Sequence, residues 1–128
     1  MINARSLFTL RSRSTRLESL IKEIRPKKLT GLLKVTFDAC DGIIVLDEGS
    51  VIDGYEIFNN ELLVKDQDGY HIKERYKFEP VNIDVCEVKR ETLQTFIKTL
   101  QESPQRFKTL FSSVCINKWQ PNGVAENS

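Results

Sequence analysis

Three acidic residues close to two glycines are the first candidates for chemistry. They lie in the segment LDEGSVIDGYEI, residues 46–57, and are Asp47, Glu48 and Asp53. Paired carboxylates can serve as general acid and base or bind a cation, but this spacing suits neither, and no histidine or lysine lies nearby. The pattern favours a β-hairpin in which Gly49 takes the positive φ of the turn. Gly54 would then leave room for a neighbouring chain.

The other catalytic and metal-binding patterns are incomplete. His71 is the one histidine, and a strand histidine beside acid-rich turns could be a general base, but no nucleophile can be paired with it from the sequence. The segment DQDGY, residues 66–70, resembles part of a calcium loop without the remaining ligands, so we interpret it as a turn. No GxGxxG or P-loop pattern occurs. We therefore expect no enzyme activity, no catalytic residues, no metal and no cofactor.

Clustered basic residues are candidates for binding phosphates or an acidic partner. Near the N-terminus these include Arg11 and Arg13. In HIKERYKF, residues 71–78, the basic positions alternate, so on a strand they would share one face. They are Lys73, Arg75 and Lys77. The alternative is a solvated face balanced by neighbouring glutamates. The net charge of +1, from 19 basic and 18 acidic residues, argues against a dedicated nucleic-acid-binding protein.

The elements that must position these residues follow from hydrophobic periodicity. Leu17, Leu20, Ile21 and Ile24 form one helical stripe, with Thr15 as the expected N-cap and Pro26 as the expected stop. Roughly six short strands with tight turns follow, one of them over HIKERYKF, and GIIVL is the expected central strand.

Two further apolar stripes after residue 90 predict C-terminal helices. The fold class is α+β: an antiparallel β-sheet meander flanked by an N-terminal helix and C-terminal helices. We expect the helices on one sheet face and a solvated or ligand-binding surface on the other.

The 128 residues predict a single domain over 1–119 and a flexible tail over 120–128. Residues 1–13 are either a flexible arm or an edge strand. Trp119 lies outside the apolar stripes and is the best candidate for an exposed contact. The three cysteines, widely spaced and without a CxxC pair, are expected to be reduced and mostly buried. No signal peptide or membrane span is apparent, so we expect a soluble cytoplasmic protein.

Residues 29–57 resemble the PATAN-type domain of prokaryotic signalling proteins. The matching elements are Thr30-Gly31-Leu32-Leu33, the strand Gly42–Leu46, and the turn and strand Gly49–Gly54. Gly54 stands where that family usually has a small alanine, and the middle section after residue 64 is longer. The resemblance implies a non-enzymatic adaptor or regulatory module in signalling, whose partner would be a separate protein. It supplies no catalytic residues.

The leading hypothesis is therefore a protein–protein interaction or regulatory module, which could form a homodimer. The alternative is a nucleic-acid-binding accessory protein using a basic strand face. An enzyme using His71 with Asp47 or Asp53 is the third hypothesis. The candidate interaction residues are Arg11, Arg13, Lys73, Arg75, Lys77 and Trp119.

Overall fold

The structure, a computed structural model, describes residues 17–77 and 82–119. Residues 17–27 are helical and form α1, whose buried stripe includes Leu17, Ile21 and Ile24 as predicted. The helix continues one residue past Pro26. It ends at Lys28, which has a left-handed φ of 54° and donates its amide to the Arg25 carbonyl at 3.2 Å. The expected N-cap Thr15, the arm 1–13 and the tail 120–128 lie outside the described residues.

The strands form a six-stranded antiparallel sheet in the spatial order β4-β3-β2-β1-β5-β6. Their bounds are β1 Gly31–Thr36, β2 Cys40–Asp47, β3 Ser50–Phe58, β4 Leu62–Lys65, β5 Asn82–Glu87 and β6 Asn117–Lys118. The first four strands are a meander, because each pairs with the next. β5 then crosses over to pair with β1.

Three more helices complete the described part of the chain. They are α2 Tyr70–Tyr76, α3 Arg90–Glu102 and α4 Phe107–Val114. Single 3-10 turns precede α2, at Gln67–Gly69, and α4, at Pro104–Arg106. The predicted α+β class and the predicted N-terminal and C-terminal helices are confirmed.

The strand predicted over HIKERYKF is wrong, because residues 71–76 belong to the helix α2. Ile72 and Tyr76, four residues apart, are both fully buried, which is the spacing of a helix face. Asp66 stabilises the start of the helix from outside it. Its carboxylate accepts the backbone amides of His71 at 2.8 Å and Ile72 at 2.9 Å, which satisfies donors that lack partners within a helix.

Helices cover both faces of the sheet, so the expectation of one solvated face is wrong. One core lies between the sheet and α1 and α2, and includes Ile21, Leu33, Ile44, Ile72 and Tyr76. The second lies between the sheet and α3 and α4, and includes Leu32, Ile43, Phe96, Phe107 and Phe111. The central strand β2 contributes to both cores, and its apolar run from residue 43 to 46 has no exposed surface, as predicted for GIIVL.

The segment with the three acids is the β2–β3 hairpin, which confirms the structural interpretation. Its loop is Glu48–Gly49, where φ is 49° and 86°, between the paired residues Asp47 and Ser50. Two consecutive positive φ values are those of a type I′ turn. Gly54 also behaves as predicted. A Cβ there would collide with the Asp66 backbone carbonyl, because the chain after β4 passes directly over β3.

The C-terminal end is held by a disulfide between Cys86 and Cys115, whose Cα atoms are 5.3 Å apart. The expectation of three reduced thiols is therefore wrong for this pair, whereas Cys40 is a buried thiol. Trp119 follows β6, donates its amide to the Val85 carbonyl at 2.7 Å and packs half-buried against the α1–α2 core. Among the described residues, no helix is both long and apolar enough to cross a membrane.

Candidate functional site

The sheet edge formed by β4 carries exposed apolar side chains. Five large apolar side chains in the described residues are exposed: Ile52, Leu62, Val64, Tyr70 and Ile116. Four of the five lie between residues 52 and 70, on β3, β4 and the first residue of α2. Leu62 is 58% exposed and Val64 is 38% exposed. Both point to the α1–α2 face, because Leu62 pairs with Phe58, which packs against that core, and Val64 lies two residues further along the strand. Leu62 and Val64, exposed together on an edge strand, suit contact with another molecule.

Backbone groups on the outer side of β4 are available for pairing. The Asp66 amide donates to the Gly54 carbonyl at 2.8 Å, next to the pair Tyr55 and Lys65 in the register. Hydrogen-bonded and non-hydrogen-bonded pairs alternate in an antiparallel ladder. Leu62 and Val64 therefore direct their backbone groups to β3, and Leu63 and Lys65 direct theirs outward. Since β4 is the outermost strand in the described sheet, another extended segment can pair there.

A polar network behind this edge fixes β3 to α3. The Tyr55 hydroxyl donates to Asp53 at 2.9 Å and accepts from Gln101 at 3.1 Å, and the Lys65 ammonium lies 3.4 Å from Asp53. Burial, together with the hydrogen bond to Asp53 and its negative charge, raises the pKa of Tyr55 to about 12. The phenol is therefore protonated at neutral pH, and its role is to hold the helix against the sheet.

A second candidate is a polar groove of about 580 Å³ at the end of the sheet where β1 turns into β2. Its polar side chains come from the sheet, the β3–β4 loop and α4, and include Lys34, Asp41, Asn59, Asn60, Lys108 and Ser112. Burial raises the pKa of the Asp41 carboxyl, while the positive charges of Lys34 and Lys108 act in the opposite direction. Ammonium, amide and hydroxyl groups around a half-buried acid could contact a small polar ligand.

Lys34, which lines the groove, already contacts residues outside it. Its ammonium lies 4.0 Å from Asp84 and 4.6 Å from the centre of the Phe111 ring. Among the groove residues that the structure describes there is no histidine to activate a hydroxyl. The groove therefore has binding groups without an evident arrangement of nucleophile and base.

The basic strip predicted on HIKERYKF is not formed. Alternate positions of a helix lie about 200° apart, so Lys73 and Arg75 of α2 point in different directions. Arg75 donates to the buried carboxylate of Glu56 at 3.0 Å and lies over two phenylalanine rings. Lys77 follows the helix and pairs with Glu74 at 3.1 Å. Arg75 is thus a structural residue on the α2 side of the sheet.

The remaining candidate contacts are not brought together with this segment. Arg11 and Arg13 lie outside the described residues, so they stay predictions. Trp119 was expected to be an exposed contact, but it is half-buried against the core. It lies beyond β6, at the opposite end of the strand order from β4.

The acids of the hairpin and His71 do not form one site. Arg90 of α3 binds Asp47 at 2.7 Å and Glu48 at 3.1 Å, and Asp53 belongs to the network with Tyr55. These contacts lie on the α3 side, whereas α2, which carries His71, packs on the other face. In residues 17–77 and 82–119, no group of three His, Cys, Asp or Glu side chains is arranged to hold a metal.

Sequence reasoning missed the residues of both candidate sites. The run Leu62–Lys65 is a strand, and its position at the edge depends on which strands pair. The groove combines residues from β1, β2 and α4 that are up to 78 positions apart, between Lys34 and Ser112. A short apolar run that follows Glu61 and ends at Lys65 is the one local signal that could have indicated an edge strand.

Comparisons with other proteins give a family. No curated protein and no solved structure matches the chain. The resemblance of residues 29–57 to the PATAN-type domain stays a prediction, since no match bears on it. A family model matches residues 2–100, which is most of the chain. The chain therefore belongs to the DUF2226 family, described as an uncharacterised protein conserved in archaea.

Proposed function

We propose that this protein is a non-enzymatic, cytoplasmic interaction module that binds a protein partner along the outer edge of β4. The observation that carries the proposal is the combination of outward backbone groups at Leu63 and Lys65 with exposed Leu62 and Val64. An extended segment that pairs with an edge gains main-chain hydrogen bonds, and adjacent side chains supply specificity. The PATAN-like pattern in residues 29–57 supports a regulatory or adaptor role in signalling.

The environment of the acidic groups supports a binding role over catalysis. Asp47, Glu48 and Glu56 are paired with arginines, and Asp66 caps a helix. Each of these carboxylates stabilises the fold through a contact that a catalytic role would have to disturb. Tyr55, with its raised pKa, stays neutral and serves the packing of α3.

Nucleic-acid binding is the alternative function, and it loses the surface on which it depended. It would use Arg11, Arg13, Lys73, Arg75 and Lys77. Glu56 pairs with Arg75 and Glu74 pairs with Lys77. The third cation of that segment, Lys73, points away from Arg75 because both lie on the helix α2. Binding to phosphates would weaken steeply with salt, whereas pairing along an edge would depend on it weakly.

The test is affinity capture from the lysate of the native host with matched variants. Leu62→Lys combined with Val64→Lys places two charges on the β4 edge, and Ile116→Lys places one charge at an exposed apolar position, 77% accessible, near β6. We expect a protein retained by the wild type and Ile116→Lys at high salt and after nuclease treatment, and lost by the β4 variant. Retention by the β4 variant, or recovery of nucleic acid alone, would contradict the proposal.

A further inference from the structure

We infer that the partner at the β4 edge is a second copy of this chain, paired antiparallel about a two-fold axis at Leu63. The inference rests on the proposed use of this edge and names its occupant. A two-fold interface uses the same patch on both subunits, so the patch must be complementary to itself. Backbone, charge and apolar side chains at β4 each meet that condition.

The backbone of Leu63 can pair with its own copy. Its amide and carbonyl both point outward, because Leu62 and Val64 are the residues bonded to β3. In an antiparallel pair, two residues placed opposite each other with outward groups exchange two hydrogen bonds. A two-fold axis at Leu63 therefore joins the two sheets through a reciprocal pair at the centre of β4.

Charge selects this register over its neighbours. With the axis at Leu63, Glu61 of each chain lies opposite Lys65 of the other, so two pairs of opposite charge flank the centre. An axis at Leu62 would place Glu61 opposite Leu63, and an axis at Val64 would place Leu63 opposite Lys65. Glu61 is exposed, and Lys65 keeps 64% of its side chain accessible despite its contact with Asp53. Opposite charges directly across a strand pair stabilise it, and like charges destabilise it.

The same register pairs the exposed apolar residues. Leu62 of one chain lies opposite Val64 of the other, in the non-hydrogen-bonded positions where side chains are closest. Both residues point to the α1–α2 face of the sheet, so the two copies bring four apolar side chains together. Surface that is 58% and 38% exposed on one chain would then be covered by its copy.

The test measures self-association of the full chain by sedimentation over a concentration series. The variants are Glu61→Lys, Lys65→Glu and the double exchange, and Lys98→Glu, exposed on α3, is the control for a charge reversal elsewhere. The wild type and the control should dimerise equally. Each single reversal puts like charges across the axis and should weaken dimerisation at least about tenfold, and the double exchange should restore it. Circular dichroism of each variant checks that the fold is retained.

A wild type that is monomeric at every concentration would overturn the homodimer. So would single reversals that dimerise as the wild type does, or a double exchange that fails to restore dimerisation. The proposed function is judged separately, by whether Leu62→Lys with Val64→Lys loses a captured protein. A monomer whose β4 variant loses a different protein would therefore reject the second copy and retain the interaction module.

Discussion

Removing the disulfide between Cys86 and Cys115 should lower the free energy of unfolding by about 3.6 kcal/mol. The two cysteines are 29 residues apart in sequence. On the chain-entropy model, closing a loop of that length removes about 12 cal/mol/K from the unfolded chain, which corresponds to this free energy at 25 °C. The loss should appear as a lower urea midpoint with an otherwise cooperative transition.

Cys115→Ser is the preferred variant because Cys115 is half-buried, whereas Cys86 has no exposed surface. Urea unfolding followed by circular dichroism would compare the variant with the wild type, with and without reductant. The reduced wild type should approach the variant, and the variant should not respond to reductant. Cys40→Ala is the matched control. It removes the buried thiol outside the bridge, so reductant should lower its stability by as much as it lowers that of the wild type.

Counting free thiols tests whether the disulfide between Cys86 and Cys115 is formed. The unfolded wild type should label at one thiol before reduction and at three afterwards, since one disulfide occupies two of the three cysteines. Three labelled thiols before reduction would refute the reasoning. A fully formed bridge whose reduction costs less than about 1 kcal/mol would refute the magnitude derived from loop closure.

Three other substitutions test a buried ion pair, a carboxyl with a raised pKa and a close approach of two backbone segments. Glu56→Gln should lower the free energy of unfolding, measured in urea, by about 3 kcal/mol, because it breaks the ion pair with Arg75. The value is at the low end for a buried pair because the Arg75 side chain is 28% exposed, and an unchanged stability would contradict a structural role for this pair. Asp41→Asn should stabilise the protein at neutral pH, because the native pKa of this carboxyl is raised. That gain should vanish as pH falls below 3.8, the ordinary pKa, and a gain independent of pH would exclude titration as its cause. Gly54→Ala should destabilise by about 1–3 kcal/mol, through collision with the Asp66 carbonyl, and a neutral effect would contradict that close approach.

Local patterns predicted the elements whose neighbours in sequence are also their neighbours in space. The β2–β3 hairpin was predicted from Gly49, which accepts positive φ, between apolar strands, and GIIVL indicates burial on both faces. The segment HIKERYKF has two compatible patterns. Its basic residues alternate as on a strand, but Ile72 and Tyr76 have helical spacing, and burial of those two decides the outcome.

Those local patterns do not predict contacts between residues that are far apart in sequence. The disulfide joins cysteines 29 positions apart. The prediction of reduced thiols failed because it relied on the expected redox compartment, whereas a disulfide depends on the distance between the two cysteines in space. The rule that intracellular cysteines stay reduced has an exception among proteins of hyperthermophilic archaea, and this family is archaeal. The groove and the β4 edge likewise depend on strand order, which periodicity does not encode.

The covering of both sheet faces changes where binding is expected. A sheet with one solvated face could bind through that face, but here helices occupy both, and the edges are what the described sheet leaves uncovered. The two edges differ. β6 has two residues, and its Lys118 lies 3.8 Å from Asp84 of the adjacent strand, whereas β4 has four residues and carries exposed Leu62 and Val64. Longer and more apolar edges are the better templates for an added strand. Burial of the sheet thus directs the proposed interaction to β4.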